Sequence, residues 1–583
     1  MGKKTKKKPG KVAPVAKQKI SRRSKTSVLP WLLLIAGITA VCFSPMLKND
    51  FTNWDDEFYI VQNSLLRGPD WAGIFTKPVV SNYHPITVIS LAINYAISGT
   101  EPWSYQLFNL VLHVINTVLV FLFIYKISGE KKVVSLLTAL IFGIHPMHVE
   151  SVAWASERKD VLYTLFFLLS LMQYWQYLQT KKSLRLWICF LFFVLSLLSK
   201  PAAIILPLVL FLLDYWKKRN FSKGLIIEKI PFFLISLLFT VITLKLQSVT
   251  AMVNLDAYPF WARLLFACYV IMIYTFRFFV PYPLSAFHPF PPPENLGWPV
   301  FIAPLFVFGL LFLTWHFRKN RLVIFTILFF LINIALVLQI ISIGYTIVSE
   351  RYTYVPYIGL AFLLTGLTDK YFAAKNKVAL GAAFLWLIIF AFVNFNRTQV
   401  WRNSDTLWSD VIKHYPRASL PRGERAQYLY NKAITMVPDS ATSLFQRVIE
   451  DCTVAINSVP DSLRRDKKKA GTSMYNMRGT SFYYLKQYEK ALNDFNTSIF
   501  IDSTNPDILN FRGIILFNNL KDYNKAMADF TSAIHIQPKA DYYLNRSRCY
   551  YVLRDLVKAR QDVQSAMDKG AIVPEDYRKL VGI

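Results

Sequence analysis

Two adjacent carboxylates follow the first apolar stretch of the chain. Asp55 and Asp56 stand in the run NWDDE, residues 53–57, shortly after the apolar residues 29–46. Adjacent carboxylates at a membrane surface can serve as a general base or bind a divalent cation, and like-charge repulsion raises the pKa of one of them. A solvated loop in which one aspartate caps a short helix fits the same spacing, so both interpretations stay open here.

A second group of charged residues lies where a membrane span is expected to reach its outer end. The run HPMHVE begins at His145, and ERKD follows at residues 157–160. Arg and Lys are normally rare on that side of a membrane, so their presence there is informative. Arg158 as a planar fork and Lys159 as a point charge can hold the phosphate of an anionic lipid. Ion pairs with the carboxylates of the same stretch are the alternative.

The same stretch also offers ligands for a metal ion. His145 and His148 stand three residues apart, and Glu150 follows two residues later. Imidazole and carboxylate groups are common metal ligands, but two histidines beside a proline are a weak pattern. A divalent cation therefore stays open, no metal ligand is assigned, and no other cofactor is indicated.

Two further cations are expected on the outer face. Lys200 separates two apolar blocks, and Arg351 stands in the run SERY, residues 349–352. With the two cations above, they suit a site that accepts a phosphate leaving group. His113 and Asn109 lie within an apolar span and are expected to make hydrogen bonds between helices. The chain has no phosphate-binding loop, dinucleotide fingerprint, nucleophile elbow or zinc-protease helix.

The elements that must position these residues are membrane helices. Apolar residues make up 54% of the 583 residues and charged residues 17%. The apolar residues form blocks of roughly 16–22 residues, a length that crosses a bilayer as a helix. About eleven spans are expected, at residues 29–46, 105–127, 133–148, 161–178, 184–199, 202–216, 228–246, 299–317, 321–341, 355–372 and 378–396.

The basic residues set the expected orientation. The formal charge is +30, and residues 1–26 hold eleven Lys and Arg without an acidic residue. Residues 1–28 are expected to form a cytoplasmic tail rather than a nucleic-acid-binding segment, because the short loops on the same side of the spans are basic too. Block 261–280 breaks this pattern if it crosses, so we expect it to be re-entrant or interfacial. The C-terminal part then lies outside the cytoplasm.

A repeated pattern follows the membrane segment. Gly479, Gly513 and Ser547 occupy equivalent positions 34 residues apart, which is the period of a tetratricopeptide repeat, or TPR. A degenerate copy is expected at about 424–460. Such repeats stack into an α-solenoid that usually binds peptides or proteins. The expected organisation is all-α, with a membrane domain at 29–400, a linker at 401–423 and a repeat domain at 424–583.

Four sequence runs together resemble the transmembrane-and-TPR-containing O-mannosyltransferases and their bacterial relatives. They are NWDDE at 53–57, HPMHVESVAWASERKDVL from His145, LSKPAAIILPLVLFLLDYW from Leu198 and SERYTYVPYIGL from Ser349. The resemblance extends over residues 29–583 and is most specific in the second run. It implies a C-type glycosyltransferase fold, abbreviated GT-C, for the membrane domain, followed by the repeats.

The resemblance also implies roles for individual residues. Asp55 or Asp56 matches the acidic pair of the family and would be the catalytic base. Arg158, Lys159 and Arg351 match basic residues that face the lipid-phosphate donor in the family. Lys200 is expected to join them because of its predicted position on the outer face. Active-site support is expected from Glu57, His84, His145, His148, Glu150 and Glu350. Relatives often carry Arg where this chain has His84, which leaves the sugar open.

The implied reaction is a single inverting displacement. The base would take a proton from a Ser or Thr of a protein acceptor, whose oxygen attacks the anomeric carbon of a polyprenyl-phosphate sugar, mannose in the family. The repeats would hold the acceptor outside the cytoplasm, and the bacterial type of match favours an inner membrane. A non-catalytic membrane scaffold that recruits proteins through its repeats is the alternative. A transporter fits less well, because the charges gather at one face.

Overall fold

The computed structural model describes residues 2, 27–68, 70–247, 258–340, 346–371, 377–458 and 467–583. Most of the predicted basic tail at 1–28 lies outside the described residues. Within them, the regular elements are helices, and the extended backbone is limited to two isolated bridges. The predicted all-α fold is confirmed.

The N-terminal part consists of apolar helices that expose large hydrophobic side chains. On one of them, Leu305 is 74% and Phe308 71% exposed, as expected of surfaces that face lipid rather than water. The helices of this part are α1 Leu29–Phe43, α2 Trp71–Thr76, α3 Pro85–Ser98, α4 Pro102–Ile127, α5 Lys132–Ile144, α6 Val149–Ala153, α7 Arg158–Thr180, α8 Ser183–Ser199, α9 Leu206–Trp216, α10 Lys223–Ile227, α11 Ile230–Gln247, α12 Phe260–Phe279, α13 Trp298–His316, α14 Arg321–Ile334, α15 Pro356–Tyr371 and α16 Lys377–Val400.

Six helices in the described part of the chain are long and apolar enough to cross a membrane. A seventh is counted if α5 and the segment Pro146–Ala153, bent by 53°, form one span. The bend falls where Pro146 lacks the N–H that would continue the helix. Other predicted spans correspond to shorter apolar helices, such as α8 and α14. The count of about eleven spans stays a prediction.

The block at 261–280 is one unbroken helix, α12. The re-entrant alternative is wrong, because a re-entrant segment turns back within the membrane and α12 has no break. The helix stays in contact with the segment that follows it: Tyr258 donates to the carbonyl of Pro291 at 2.6 Å, and Arg277 Nη1 lies 3.1 Å from His288 Nε2. The same helix is among the six that are long and apolar enough to cross a membrane, so the expected interfacial position stays a prediction.

The C-terminal part is a row of helices that pack in consecutive pairs. The pairs are α18 with α19, α20 with α21, α22 with α23 and α24 with α25. The predicted linker at 401–423 is itself folded, since Leu407 and Trp408 are buried in the core of the membrane part. The helices are α17 Ser404–His414, α18 Ser419–Ala433, α19 Pro438–Asn457, α20 Lys467–Tyr484, α21 Tyr488–Ile501, α22 Pro506–Asn518, α23 Tyr523–Ile536, α24 Ala540–Val552, α25 Leu556–Asp568 and α26 Glu575–Val581.

The repeated small residues allow the paired helices to approach closely. A Cβ at Gly479 would lie 2.7 Å from the ring of Phe495, and one at Gly513 would lie 2.6 Å from the ring of Phe530. A second repeated contact was not evident from the sequence: an arginine of the first helix donates to an aspartate of the second. It is made by Arg478 with Asp494 at 2.8 Å, Arg512 with Asp529 at 2.7 Å and Arg546 with Asp562 at 2.8 Å. Both features recur with the predicted period.

Candidate active site

Four stretches of chain meet where several membrane helices end. They are residues 52–57 after α1, residues 154–160, which connect α6 to α7 and include the first turn of α7, Lys200 after α8, and 349–351 before α15. Local sequence explains why they leave the helices. Lys200 precedes a proline, which disfavours helical backbone at the residue before it, and it adopts φ −157° and ψ 128°. Lys200 and Arg351 are therefore carried on short segments between the long helices, while Arg158 and Lys159 stand in the first turn of α7.

Asp56 is buried and serves as an anchor. Its Oδ2 accepts hydrogen bonds from the Thr52 N–H at 2.9 Å and hydroxyl at 3.0 Å, while its Oδ1 accepts from the Ser156 N–H at 2.8 Å. Burial raises the pKa of the Asp56 carboxyl to about 6, although these donors oppose the shift. Both oxygens are thus occupied by the protein, and the residue ties the loop at 52–57 to residues 154–157, which connect α6 and α7.

Asp55 has the opposite environment. Its side chain is 27% exposed, and its Oδ2 lies 3.5 Å from Nζ of Lys159. In the described chain this lysine is its one ion-pair partner. Of the two aspartates predicted to be catalytic, Asp55 is the one whose carboxylate is partly open to solvent.

Three cations surround one buried carboxylate, Glu157. Its oxygens lie 3.2 Å from Lys159 Nζ, 3.5 Å from Lys200 Nζ and 3.4 Å from Arg351 Nε. Burial alone would raise the pKa of Glu157, but the charges of Lys159, Lys200 and Arg351 outweigh it and hold that pKa well below its usual value. Glu157 is therefore ionised and gathers the three cations.

Two further carboxylates complete this cluster. Arg351 pairs with buried Glu150, which also accepts the Arg351 backbone N–H at 3.0 Å, and Lys200 pairs with Asp160. With Asp55 and Glu157 included, four carboxylates face three cations, so the fully ionised cluster has a net charge of −1. The ion pairs that the sequence offered as the alternative to phosphate binding are present. An incoming phosphate must share or displace them.

Aromatic rings line the cluster, a feature that the sequence analysis missed. Lys159 Nζ lies 4.5 Å from the ring centre of Tyr59 and 5.9 Å from that of Trp154, and the Arg351 guanidinium lies 5.6 Å from Trp154. Ring faces attract cations and hold them in position. Trp154 belongs to the run that carried the family resemblance, and an aromatic residue between two charged groups was the available signal.

The structure separates Arg158 from the other predicted donor-binding cations. Its buried guanidinium donates to Asn94 Oδ1 at 2.8 Å, to the Tyr105 carbonyl at 2.9 Å and to Asn109 Oδ1. No ion pair of Arg158 is found in the described residues. The side chain joins α7 to α3 and α4, and its predicted contact with a donor phosphate has no support from this geometry.

Two of the predicted supporting residues, Glu57 and His84, lie outside the group of ion pairs. Glu57 accepts from Gln62 Nε2 at 2.7 Å, five residues further along the chain, just after the single helical turn Glu57–Val61. His84 stacks on Tyr59 with ring centres 5.2 Å apart, and burial, followed by the charge of Lys159, lowers its pKa to about 3. Neutral His84 thus lies behind the ring that contacts Lys159 and adds no charge to the cluster.

Glu350, the residue before Arg351, is linked through Arg397 to α17 of the C-terminal part. It is buried, accepts the Ser285 N–H, and lies 3.6 Å from Arg397, which also pairs with Asp410 of α17. Because Glu350 is adjacent to Arg351, these ion pairs link Asp410 of α17 to the segment that carries one of the three cations.

The two histidines face the protein interior. His145 Nε2 lies 3.1 Å from the carbonyl of Phe278, and its Nδ1 accepts the Met147 N–H at 3.2 Å. His148 Nδ1 lies 2.8 Å from the carbonyl of Phe142. The described residues contain no group of three or more His, Cys, Asp or Glu arranged to hold a metal ion. A divalent cation stays an untested possibility that these contacts do not support.

The predicted structural role of two mid-span polar residues is confirmed. His113 lies 2.7 Å from Tyr354 Oη and 3.0 Å from the carbonyl of Gly143, and Asn109 donates to the carbonyl of Trp154 at 3.1 Å. These bonds satisfy polar groups that would otherwise be costly within apolar surroundings.

Comparisons with known proteins agree with the motifs. No family model matches the sequence. Protein O-mannosyl-transferase TMTC2 of Mus musculus is 40% identical over 170 residues, which cover 27% of this chain and 20% of that protein. The human TMTC4 enzyme is 35% identical over 176 residues, 26% of this chain and 24% of that protein. Mouse TMTC1 is 30% identical over 168 residues, 26% of this chain and 18% of that protein.

The matches leave most of each relative uncovered, since the chain spans 18–24% of the length of these three proteins. Among solved structures, ArnT from Cupriavidus metallidurans bound to undecaprenyl phosphate aligns with 82% of this chain at 12% identity and a TM-score of 0.34. That score is too low to establish a common fold. Over about a quarter of its length, the chain is similar in sequence to the TMTC protein O-mannosyltransferases, which confirms the resemblance found in its motifs.

Proposed function

We propose that the chain is an integral-membrane glycosyltransferase of the GT-C type that moves a sugar from a polyprenyl-phosphate carrier to a Ser or Thr hydroxyl of a protein. The observation that carries the proposal is the meeting of a partly exposed carboxylate, Asp55, with a cluster of three cations, which Lys159 joins to it at 3.5 Å. Mannose is the sugar to test first, because the homologues are named O-mannosyltransferases.

Asp55 acts as the general base in this scheme. It takes the proton of the acceptor hydroxyl as the acceptor oxygen forms a bond to the anomeric carbon of the sugar. The bond between that carbon and the phosphate oxygen breaks, and its electron pair stays on the phosphate. The configuration at the anomeric carbon is inverted, because the reaction is a single displacement.

The cations act on the leaving group. A polyprenyl-phosphate sugar is a phosphodiester with one negative charge, and the departing polyprenyl phosphate gains a second. Lys159, Lys200 and Arg351 are held in place before the donor arrives, so they can stabilise that developing charge without reorganising. Arg351 meets Glu150 through Nη1 and Glu157 through Nε, and in this scheme its Nη2 turns to a donor phosphate oxygen.

The arrangement of the chain supports an acceptor on the same side as the donor. The loop that carries Asp55 contacts α17 and α18, the first two helices of the C-terminal part. With the N-terminus in the cytoplasm, as the basic residues at 1–26 favour, that side is extracytoplasmic, and a bacterial inner membrane is the proposed location. The repeats at 424–583 would hold the acceptor polypeptide there.

The test is sugar transfer by the full chain in membranes, with radiolabelled polyprenyl-phosphate mannose and a second panel of other polyprenyl-phosphate sugars. We expect label to enter Ser/Thr-containing protein with the wild type and to fall strongly with Lys200→Gln. Lys77→Gln is the matched control, because Lys77 is 63% exposed and pairs with Asp70, away from the cluster. Failure with every donor would replace the proposal with the scaffold alternative.

A further inference from the structure

We infer that α17 and α18, the first helices after the membrane part, belong to the catalytic site because they position the loop that carries Asp55. The inference rests on the proposed function and adds positioning residues to it. Asp55 itself has one ion-pair partner among the described residues, at 3.5 Å, so its place depends on its neighbours in sequence. On one side the anchor is Asp56, and on the other it is the pair Asn53 and Trp54.

Asn53 forms hydrogen bonds to the C-terminal helices through both its backbone and its side chain. Its backbone N–H donates to Ser404 Oγ at 2.8 Å, and its Nδ2 donates to the carbonyl of Glu424 at 2.7 Å. Its Oδ1 accepts from Nε1 of Trp408 at 2.9 Å. Three hydrogen bonds from two different helices fix both the backbone and the side-chain amide of a residue two positions before Asp55.

Trp54 is held by aromatic contacts from both sides. Its ring centre lies 5.0 Å from Trp408 of α17 and 4.6 Å from Trp154, on which it is stacked. Trp154 in turn stacks on Trp401 at 5.4 Å and contacts the cations Lys159 and Arg351. Aromatic pairs of this kind contribute stability beyond their burial. One row of indoles therefore connects α17 to the base and to the cations.

The contact has the character of a core rather than of a surface encounter. Trp401 and Trp408 are completely buried, and so is Ser404. A further hydrogen bond holds the loop three residues before Asn53, where the Asp50 N–H donates to the carbonyl of Arg402 at 2.8 Å. Because displacing a catalytic group by about 1 Å costs roughly 10²-fold in rate, loss of these contacts acts on the chemical step.

A positioning role and an acceptor-docking role make different predictions. We would compare Trp408→Ala and Asn53→Ala with Arg512→Ala, which removes an ion pair within a distant repeat. With N-acetylthreonine methylamide, an acceptor too small to reach the repeats, Trp408→Ala and Asn53→Ala are expected to lower kcat about 10- to 100-fold at unchanged donor affinity. In an Asp55→Asn background, Trp408→Ala should have little further effect.

Hydrogen exchange tests the inference without donor or acceptor. In the intact protein, Trp408→Ala should speed exchange of the amides at 53–56, while Arg512→Ala should leave them unchanged. Ser404→Ala, a milder change, should have a smaller effect in the same direction and guards against misfolding of the tryptophan variant. Unchanged exchange in these variants overturns the inference even if the wild type transfers no sugar. An effect on KM for protein acceptors alone, with normal kcat for the small acceptor, also overturns it.

Discussion

Replacing Glu157 by Gln should destabilise the protein more than any comparable change in the site. The substitution keeps the shape of the side chain but removes the charge that three cations contact at 3.2–3.5 Å. At an effective dielectric constant of about 20, each contact is worth roughly 5 kcal/mol of Coulomb energy, and the desolvation of a buried charge offsets most of it. Breaking a buried ion pair typically costs about 3–5 kcal/mol, which is the loss we expect in unfolding free energy.

The assay is thermal and chemical unfolding of the purified protein in detergent. Glu57→Gln is the matched control, because Glu57 lies in the neighbouring loop and contacts a neutral glutamine. It should stay within about 0.5 kcal/mol of the wild type. Equal stability of the two variants would refute the view that Glu157 organises the cations.

The same variant makes a prediction about pH. The cations hold the pKa of Glu157 below the ordinary value of 4.5, so the folded state binds fewer protons there than the unfolded state. The stabilisation is present above the unfolded pKa and is lost as pH falls towards the folded one. Glu157→Gln should therefore flatten the decline of wild-type stability below about pH 5. An identical decline in both proteins would contradict this assignment.

Three further predictions concern other residues. Arg158→Lys should lower the unfolding free energy by about 2–4 kcal/mol, because the buried hydrogen bonds of the guanidinium group are lost. Donor affinity of the folded protein, measured by equilibrium binding, should stay unchanged. His84→Gln should not alter the pH–rate profile between pH 5 and 8, since burial lowers the His84 pKa to about 3; loss of an ionisation near pH 6.5 would refute this. Gly513→Ala should lower the thermal midpoint, because its Cβ would lie 2.6 Å from Phe530, while hydrogen exchange at 53–56 stays unchanged.

The sequence located the site better than it assigned roles within it. Charges placed against the positive-inside bias identified Lys159, Lys200 and Arg351, which the fold brings around one carboxylate. Adjacent residues could not be ranked in this way. Asp55 and Asp56 have the same chemistry, and Arg158 and Lys159 differ by about 100° around α7. Which member of each pair faces the cluster depends on contacts with α3, α4 and the loop after α1.

Contacts between distant segments were beyond local patterns. Trp54, Trp154, Trp401 and Trp408 form one row of rings, although up to 354 positions separate them in sequence. Neither hydropathy nor repeat spacing predicts that row, because both describe neighbours along the chain. For the same reason the sequence predicted a linker at 401–423, whereas helix α17 of that segment packs against the membrane part.

The most direct test of the account is the rate of a single turnover by Asp55→Asn at saturating donor. Asparagine keeps the size of the side chain but cannot take a proton from the acceptor hydroxyl. We predict that transfer slows by about 10²- to 10⁴-fold, while donor affinity and the unfolding midpoint stay close to those of the wild type, because Asp55 is partly exposed and loosely paired. A rate within about threefold of the wild type would contradict the assignment of Asp55 as the base.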